Sequence, residues 1–182
     1  MRRIALASLA ALLSVPALAQ ESVVESAAER VVEPVAPLVI PRRVSAAHTP
    51  SGLPVPRYVS LKYGRTHGRS GPSRNHSIRW TYNRRGLPLV VVAETEQWRR
   101  VRDPSGDESW IRSTGLSGER HALVAGPTEM RRNPDIASRA RLRLPEGALV
   151  ALGSCRGGWC EVETEGRSGW AMQSRLWGAA GL

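Results

Sequence analysis

The sequence predicts an all-β chain built from two small barrels in tandem, and three observations carry that expectation. Pro72, Trp98, Trp110 and Leu116 recur as Pro134, Trp159, Trp170 and Leu176, at offsets of 62, 61, 60 and 60 residues. A period that holds to within two residues at this length marks a duplicated domain rather than a solenoid unit. From Arg57 onward, short strand-like runs alternate with Gly, Pro, Asn and Asp turns, the texture of antiparallel sheet. Five such runs per copy suit a barrel, because closure hides the edges that an open sheet would expose.

The first nineteen residues read as an export signal. Arg2 and Arg3 precede an apolar run over residues 4–15, and Ala17-Leu18-Ala19 fits a small-residue cleavage site. Cleavage after Ala19 would give a periplasmic or secreted protein with no transmembrane segment. Residues 20–56 read as a flexible, Pro-rich, largely disordered linker, since Pro34, Pro37, Pro41, Pro50, Pro54 and Pro56 interrupt any long element. Inside it, Val23, Val24, Ala27, Ala28, Val31 and Val32 recur at helical spacing. That spacing allows a short helix over 21–33, which is marginal in water without a partner surface.

In the first copy, residues 57–120, strands are expected near 57–62, 78–82, 87–94, 98–103 and 108–113. A long first loop runs through Gly64, Gly68 and Gly71-Pro72; Arg85-Gly86 and 103–106 make tight turns, and 114–116 suits a single 3₁₀ turn. In the second copy, residues 121–182, the matching strands fall near 120–125, 140–144, 148–155, 159–164 and 168–172. A domain of this size buries only about 60% of its unfolded surface, so the two copies are expected to pack against each other. With no Phe in the chain, Trp, Leu and Val must supply the core.

The repeat also predicts a register. With the offset that aligns Trp98 with Trp159, Cys155 falls on Glu94 and Cys160 on Arg99. Each copy therefore sets a complementary pair at i and i+5 on one hairpin. Around a Gly157-Gly158 turn, Arg156 faces Trp159 and Cys155 faces Cys160, at the separation that a disulfide needs. Export favours the bridge over redox or metal chemistry. Glu94 and Arg99 are expected to face each other as an exposed ion pair contributing about 0–1 kcal/mol.

The formal charge is +10, which falls to +8 without Arg2 and Arg3. Residues 57–121 carry thirteen bases against six acids, or +7; residues 122–182 carry eight against six, or +2. Such a field raises encounter rates with polyanions and says nothing of fold. The asymmetry points to the first copy as the one that meets an anion. Outside the cytoplasm the candidates are acidic glycans, lipid headgroups and peptide carboxylates, and nucleic acid is not expected as a partner.

Residues 53–62, the Arg69-Ser70-Gly71-Pro72 turn, Gly86-Leu87-Pro88-Leu89, residues 98–103, Gly106 with Trp110-Ile111, and Leu116-Ser117-Gly118 together resemble the exported bacterial SH3-like domain proteins. Cys155, Trp159-Cys160, Gly169-Trp170 and Leu176-Trp177-Gly178 extend the resemblance through the second copy. It implies tandem small SH3-like β-barrels acting as a non-catalytic targeting module of the cell envelope. Thr66-His67-Gly68-Arg69 departs from the Val-Asn-Val-Arg that many relatives carry before this turn, and that departure weakens any carry-over of ligand specificity.

Candidate binding residues sit in the first copy. Arg79 to Arg85 offers Trp80, Tyr82 and Arg84 on one face of a strand with Arg85 beside them, a stacking platform flanked by guanidinium groups. In a barrel without Phe, Trp80 is read as core rather than as platform. The first loop adds His67, Arg69 and Arg74, with His76 near them. No zincin, nucleophile-elbow, phosphate-loop or paired Cys-x-x-Cys motif is present, and the four His are scattered, so neither catalysis nor a cofactor or metal is expected. The sequence reading is a non-enzymatic periplasmic module that recognises peptidoglycan or an envelope peptide or anionic glycan. The alternative is a structural protein that partners an envelope enzyme without touching the wall.

Overall fold

The computed structural model describes residues 43–179. The export signal, the helical spacing over 21–33 and most of the linker lie outside the described residues. The first copy forms β1 (Arg57–Leu61), β2 (Thr66–Arg69), β3 (Ile78–Tyr82), β4 (Pro88–Glu94), β5 (Trp98–Arg102), β6 (Glu108–Arg112) and β7 (Leu116–Ser117). The second forms β8 (His121–Val124), β9 (Thr128–Arg131), β10 (Ala140–Leu144), β11 (Leu149–Arg156), β12 (Trp159–Thr164), β13 (Arg167–Met172) and β14 (Leu176–Trp177). A 3₁₀ turn precedes the last strand of each copy, at Ser113–Gly115 and Gln173–Arg175.

The two sheets share one topology. The first runs β3-β2-β6-β5-β4-β1-β7 and the second β10-β9-β13-β12-β11-β8-β14, all neighbours antiparallel. The same seven-strand order, reproduced after a shift of seven strands, establishes the duplication that the Pro, Trp and Leu landmarks suggested. Each copy has two strands beyond the five expected. β2 was expected to be loop because Thr66-His67-Gly68-Arg69 lacks apolar alternation. Its inward positions are Thr66 and Gly68, both buried, and neither residue carries a hydrophobic signature.

The core is aliphatic, not aromatic. Leu61, Leu89, Val91, Val101 and Ile111 are buried in the first barrel with Val55, and Val124, Met130, Leu144, Val150 and Val162 in the second. On β5 and β6 the inward residues are Arg99, Val101, Ser109 and Ile111, which leaves Trp98 and Trp110 on the outer face. Trp98 is nonetheless buried, although it stands in the wall of a cleft that it shares with the first loop and Arg112. The expectation that Trp fills the core is corrected by this alternation.

Residues 43–56 are ordered, although their proline content suggested a linker. Val44 bridges Val55, Ala46–His48 forms a 3₁₀ turn, and Val55 joins the first core. The anchor is Glu94. It accepts from the backbone N–H of Ser51 at 2.9 Å and from the Ser51 hydroxyl at 2.6 Å, and it pairs with Arg57 at 2.6 Å and Arg99 at 3.1 Å. The predicted register is present, Glu94 opposite Arg99 and Cys155 opposite Cys160. Its predicted exposure is not: the Glu94 side chain is 2% exposed, sealed by the same segment that it anchors. Cys155 and Cys160 form the disulfide.

The barrels touch through β1, β4, β8 and β14. Tyr58 meets Trp177 edge to face at 5.6 Å between ring centroids, and His121 Nδ1 lies 3.2 Å from the buried Ser60 hydroxyl. Gly178, at φ +103°, runs close to Pro88 and the His121 carbonyl, where a side chain would collide. Burial at this joint raises the Tyr58 phenol above its ordinary range, against the opposing pull of Arg120.

Candidate functional site

The first loop of barrel one is stapled from within. Arg69, at the end of β2, donates one guanidinium nitrogen to the Arg74 carbonyl at 3.0 Å and to the His76 carbonyl at 2.7 Å. Ser70 N–H donates to the Ser77 carbonyl, and Ser73 Oγ lies 2.8 Å from His76 Nδ1. Gly71 lies against the His76 ring, which leaves no room for a Cβ. The same device recurs in barrel two, where Arg131 donates to the Ser138 carbonyl at 2.6 Å. Arg69 therefore holds the loop in shape as well as facing solvent beside it.

Opposite this loop stands the β4–β5 turn. Arg99 donates to the Thr95 and Trp98 carbonyls, and Thr95 Oγ1 accepts from the Trp98 N–H at 3.2 Å. Because Glu94 holds Arg99 on the core side, a buried ion pair sets the turn that forms one wall of an open cleft. That cleft, of about 650 Å3, is lined by Pro72, Ser73 and Arg74 on one side and Thr95, Glu96, Gln97, Trp98 and Arg112 on the other. A smaller extension of about 240 Å3 shares Arg74, Trp98 and Arg112 and adds Tyr63, Arg65, His67 and Arg69. Thr66 also lines the extension, its buried hydroxyl without a partner among the described residues.

The sequence candidates divide in two. His67, Arg69 and Arg74 come together at the cleft, with Arg65, Trp98 and Arg112 that sequence reasoning had not placed there. Arg112 was findable, since it is cross-strand to Trp98 and outward on β6. Trp80, Tyr82, Arg84 and Arg85 do not line it. Trp80 is 40% exposed on the edge strand β3, not the core residue expected. Tyr82 is turned inward against the core, its hydroxyl 3.2 Å from Ser109 Oγ, so the continuous aromatic platform does not form. Burial raises the Tyr82 phenol above its usual range, the Ser109 hydrogen bond lowers it, and Asp103 raises it further. His67 and His76 go to separate partners, Thr81 and Ser73.

Two repeated, seven-stranded barrels, each with a first loop stapled by an arginine, define a tandem small-barrel protein of the SH3 class. The profile of the bacterial SH3 domain matches residues 62–118 and again residues 124–178. Together these matches take in more than half of the chain, which belongs to the bacterial SH3 domain family. No curated protein matches it. Among solved structures it is similar to NlpC2 and NlpC1 from Trichomonas vaginalis, at 14% and 12% identity, each with a TM-score of 0.31. The similarity covers 67% of this chain and 48% and 45% of those chains, so this chain spans about half their length.

Proposed function

We propose that the chain is a non-enzymatic binding module, exported to the periplasm or secreted, that holds peptidoglycan or another envelope peptide or anionic glycan in the first-barrel cleft. The observation that carries this reading is the cleft itself. Arg65, Arg69, Arg74 and Arg112 surround it with Trp98 in its wall, and Glu96 is its one acidic lining residue. Guanidinium forks suit carboxylate recognition, and an open trough suits a polymer segment better than an enclosed small molecule. Domain membership and the export-like N-terminal sequence are consistent with a partner in the envelope.

Cosedimentation with purified peptidoglycan sacculi across a salt series tests the reading. Wild type is expected in the pellet at low salt, released as ionic strength rises. Arg74→Ala/Arg112→Ala should lower the bound fraction about tenfold, while Arg84→Ala/Arg85→Ala should match wild type. Well-folded wild type that stays in the supernatant at low salt removes direct wall binding. It would favour the protein-partner alternative, in which pull-down from envelope extract depends on residues 20–50.

A further inference from the structure

The two barrels differ in charge at one matched place. Where β9, β10 and β13 meet, a cleft of about 590 Å3 is lined by Arg132, Arg139, Arg141 and Arg167 with Gly166 and Ser168. All four arginines are exposed, and none pairs with an acid among the described residues. The matched place in barrel one is lined by Arg69, Ser70, Arg79 and Arg100 with the carboxylate of Glu108. The equivalence is structural: Arg132 N–H donates to the Arg139 carbonyl just as Ser70 N–H donates to that of Ser77, and Arg131 faces Trp170 as Arg69 faces Trp110.

Duplication supplies an internal control. Ser70 and Ser77 of barrel one become Arg132 and Arg139, Asp107 becomes Arg167, and Glu108 becomes Ser168. In barrel one, Glu108 neutralises Arg100 at 2.6 Å and Arg102 at 2.7 Å. Barrel two has lost that carboxylate and gained Arg132, Arg139 and Arg167, while Arg100 and Arg102 give way to Glu161 and Glu163. Of the nearby acids, Glu129 pairs with Arg131 and Asp135 Oδ1 accepts from the Ala137 N–H, whereas Glu161, Glu163 and Glu165 are exposed and form no ion pair with the four arginines. Arg141 spends one N–H on the Ser168 carbonyl at 2.8 Å and keeps the rest of its fork.

Four like charges that line one hollow and form no ion pair among the described residues repel one another, and a multivalent oxyanion bound among them relieves that repulsion. Guanidinium geometry matches phosphate oxygens two at a time. We infer that the second barrel carries a phosphate-binding site formed by Arg132, Arg139, Arg141 and Arg167, separate from the first-barrel cleft. Ile136, 65% exposed in the loop that joins Arg132 to Arg139, stands where it would meet acyl chains if the phosphate belongs to a lipid headgroup.

Calorimetric titration of the full chain with tripolyphosphate, beside sedimentation with phosphatidylglycerol vesicles, tests the site and separates its sources. Saturable binding of tripolyphosphate is expected to weaken about tenfold in Arg132→Gln/Arg167→Gln and less than twofold in Arg84→Gln/Arg85→Gln, which removes the same charge from barrel one. Capture by vesicles alone, lost in Arg132→Gln/Arg167→Gln and weakened in Ile136→Ser, supports the site and assigns the phosphate to a headgroup. The inference is overturned if neither probe binds saturably, or if binding by either survives the Arg132→Gln/Arg167→Gln change. Because both arginines are exposed, their loss leaves the fold intact, as circular dichroism would register.

Discussion

Glu94 joins three parts of this molecule through one side chain. It accepts from Ser51 and Arg57, which ties residues 43–56 to the barrel, and it pairs with Arg99, which fixes the turn beside the cleft. Burial alone would raise its pKa, but the Ser51 and Arg57 hydrogen bonds outweigh that and hold it below the ordinary carboxylate range. A depressed folded pKa means that its stabilisation is present above the unfolded value near 4.5 and is lost as pH falls through the lower folded value. Glu94→Gln leaves two largely buried guanidinium groups uncompensated, so a loss of about 3 kcal/mol is expected at pH 7. Urea unfolding followed by tryptophan fluorescence should show that gap close as wild type is taken below pH 4. Equal midpoints at pH 7 would contradict the assignment.

At the scale of strands, the crossing of β2 and β6 shows how two copies fill one space differently. In barrel one, Gly68 lies under Ser109 and the Tyr82 ring; an added Cβ would come within 2.8 Å of Ser109 Cβ and 3.0 Å of the ring. In barrel two the volumes are exchanged. Met130 takes the Gly68 position and Gly169 that of Ser109, and a Cβ on Gly169 would fall 2.6 Å from Met130 Cγ. Gly68→Ala is therefore expected to cost about 1–3 kcal/mol through overpacking. Ser109→Gly in the same chain should recover a measurable part of that loss, a coupling that a double-mutant cycle on thermal unfolding would read. Independent, additive effects would show that the crossing does not limit the packing. The exchange also explains why β2 was hard to read, since an inward glycine looks like a turn residue unless its opposite number is known.

Across the whole molecule, the joint between barrels couples two domains that are each small for independent stability. Tyr58 against Trp177, and His121 against Ser60, bring β1, β8 and β14 together. Trp177→Ala removes a half-buried ring from this joint, and a loss of about 1–3 kcal/mol is expected. Wild type should melt in one calorimetric transition and the variant in two, as the barrels lose their mutual support. A variant that still melts in one step at the wild-type midpoint would show that the joint contributes little. The same scale separates the two Arg-lined hollows, one beside the first loop of barrel one and one on barrel two, so salt-sensitive binding need not follow total charge.

The duplicated landmarks, the strand periodicity and the pairing of positions 94 with 99 and 155 with 160 were legible in the chain, because they depend on spacing, and spacing survives without coordinates. So was the grouping of His67, Arg69 and Arg74, which lie within one strand and its following loop. Tertiary structure alone decided which side of each pair meets water. It buried Glu94 under a proline-rich segment, turned Tyr82 inward while leaving Trp80 at an edge, and set Trp98 and Trp110 outside the aliphatic core. It also brought Arg132, Arg139, Arg141 and Arg167 to one hollow in the copy with the smaller net charge. Net charge is a sum along the chain, whereas a site is made by local juxtaposition, and only the folded sheet sets which charges become neighbours.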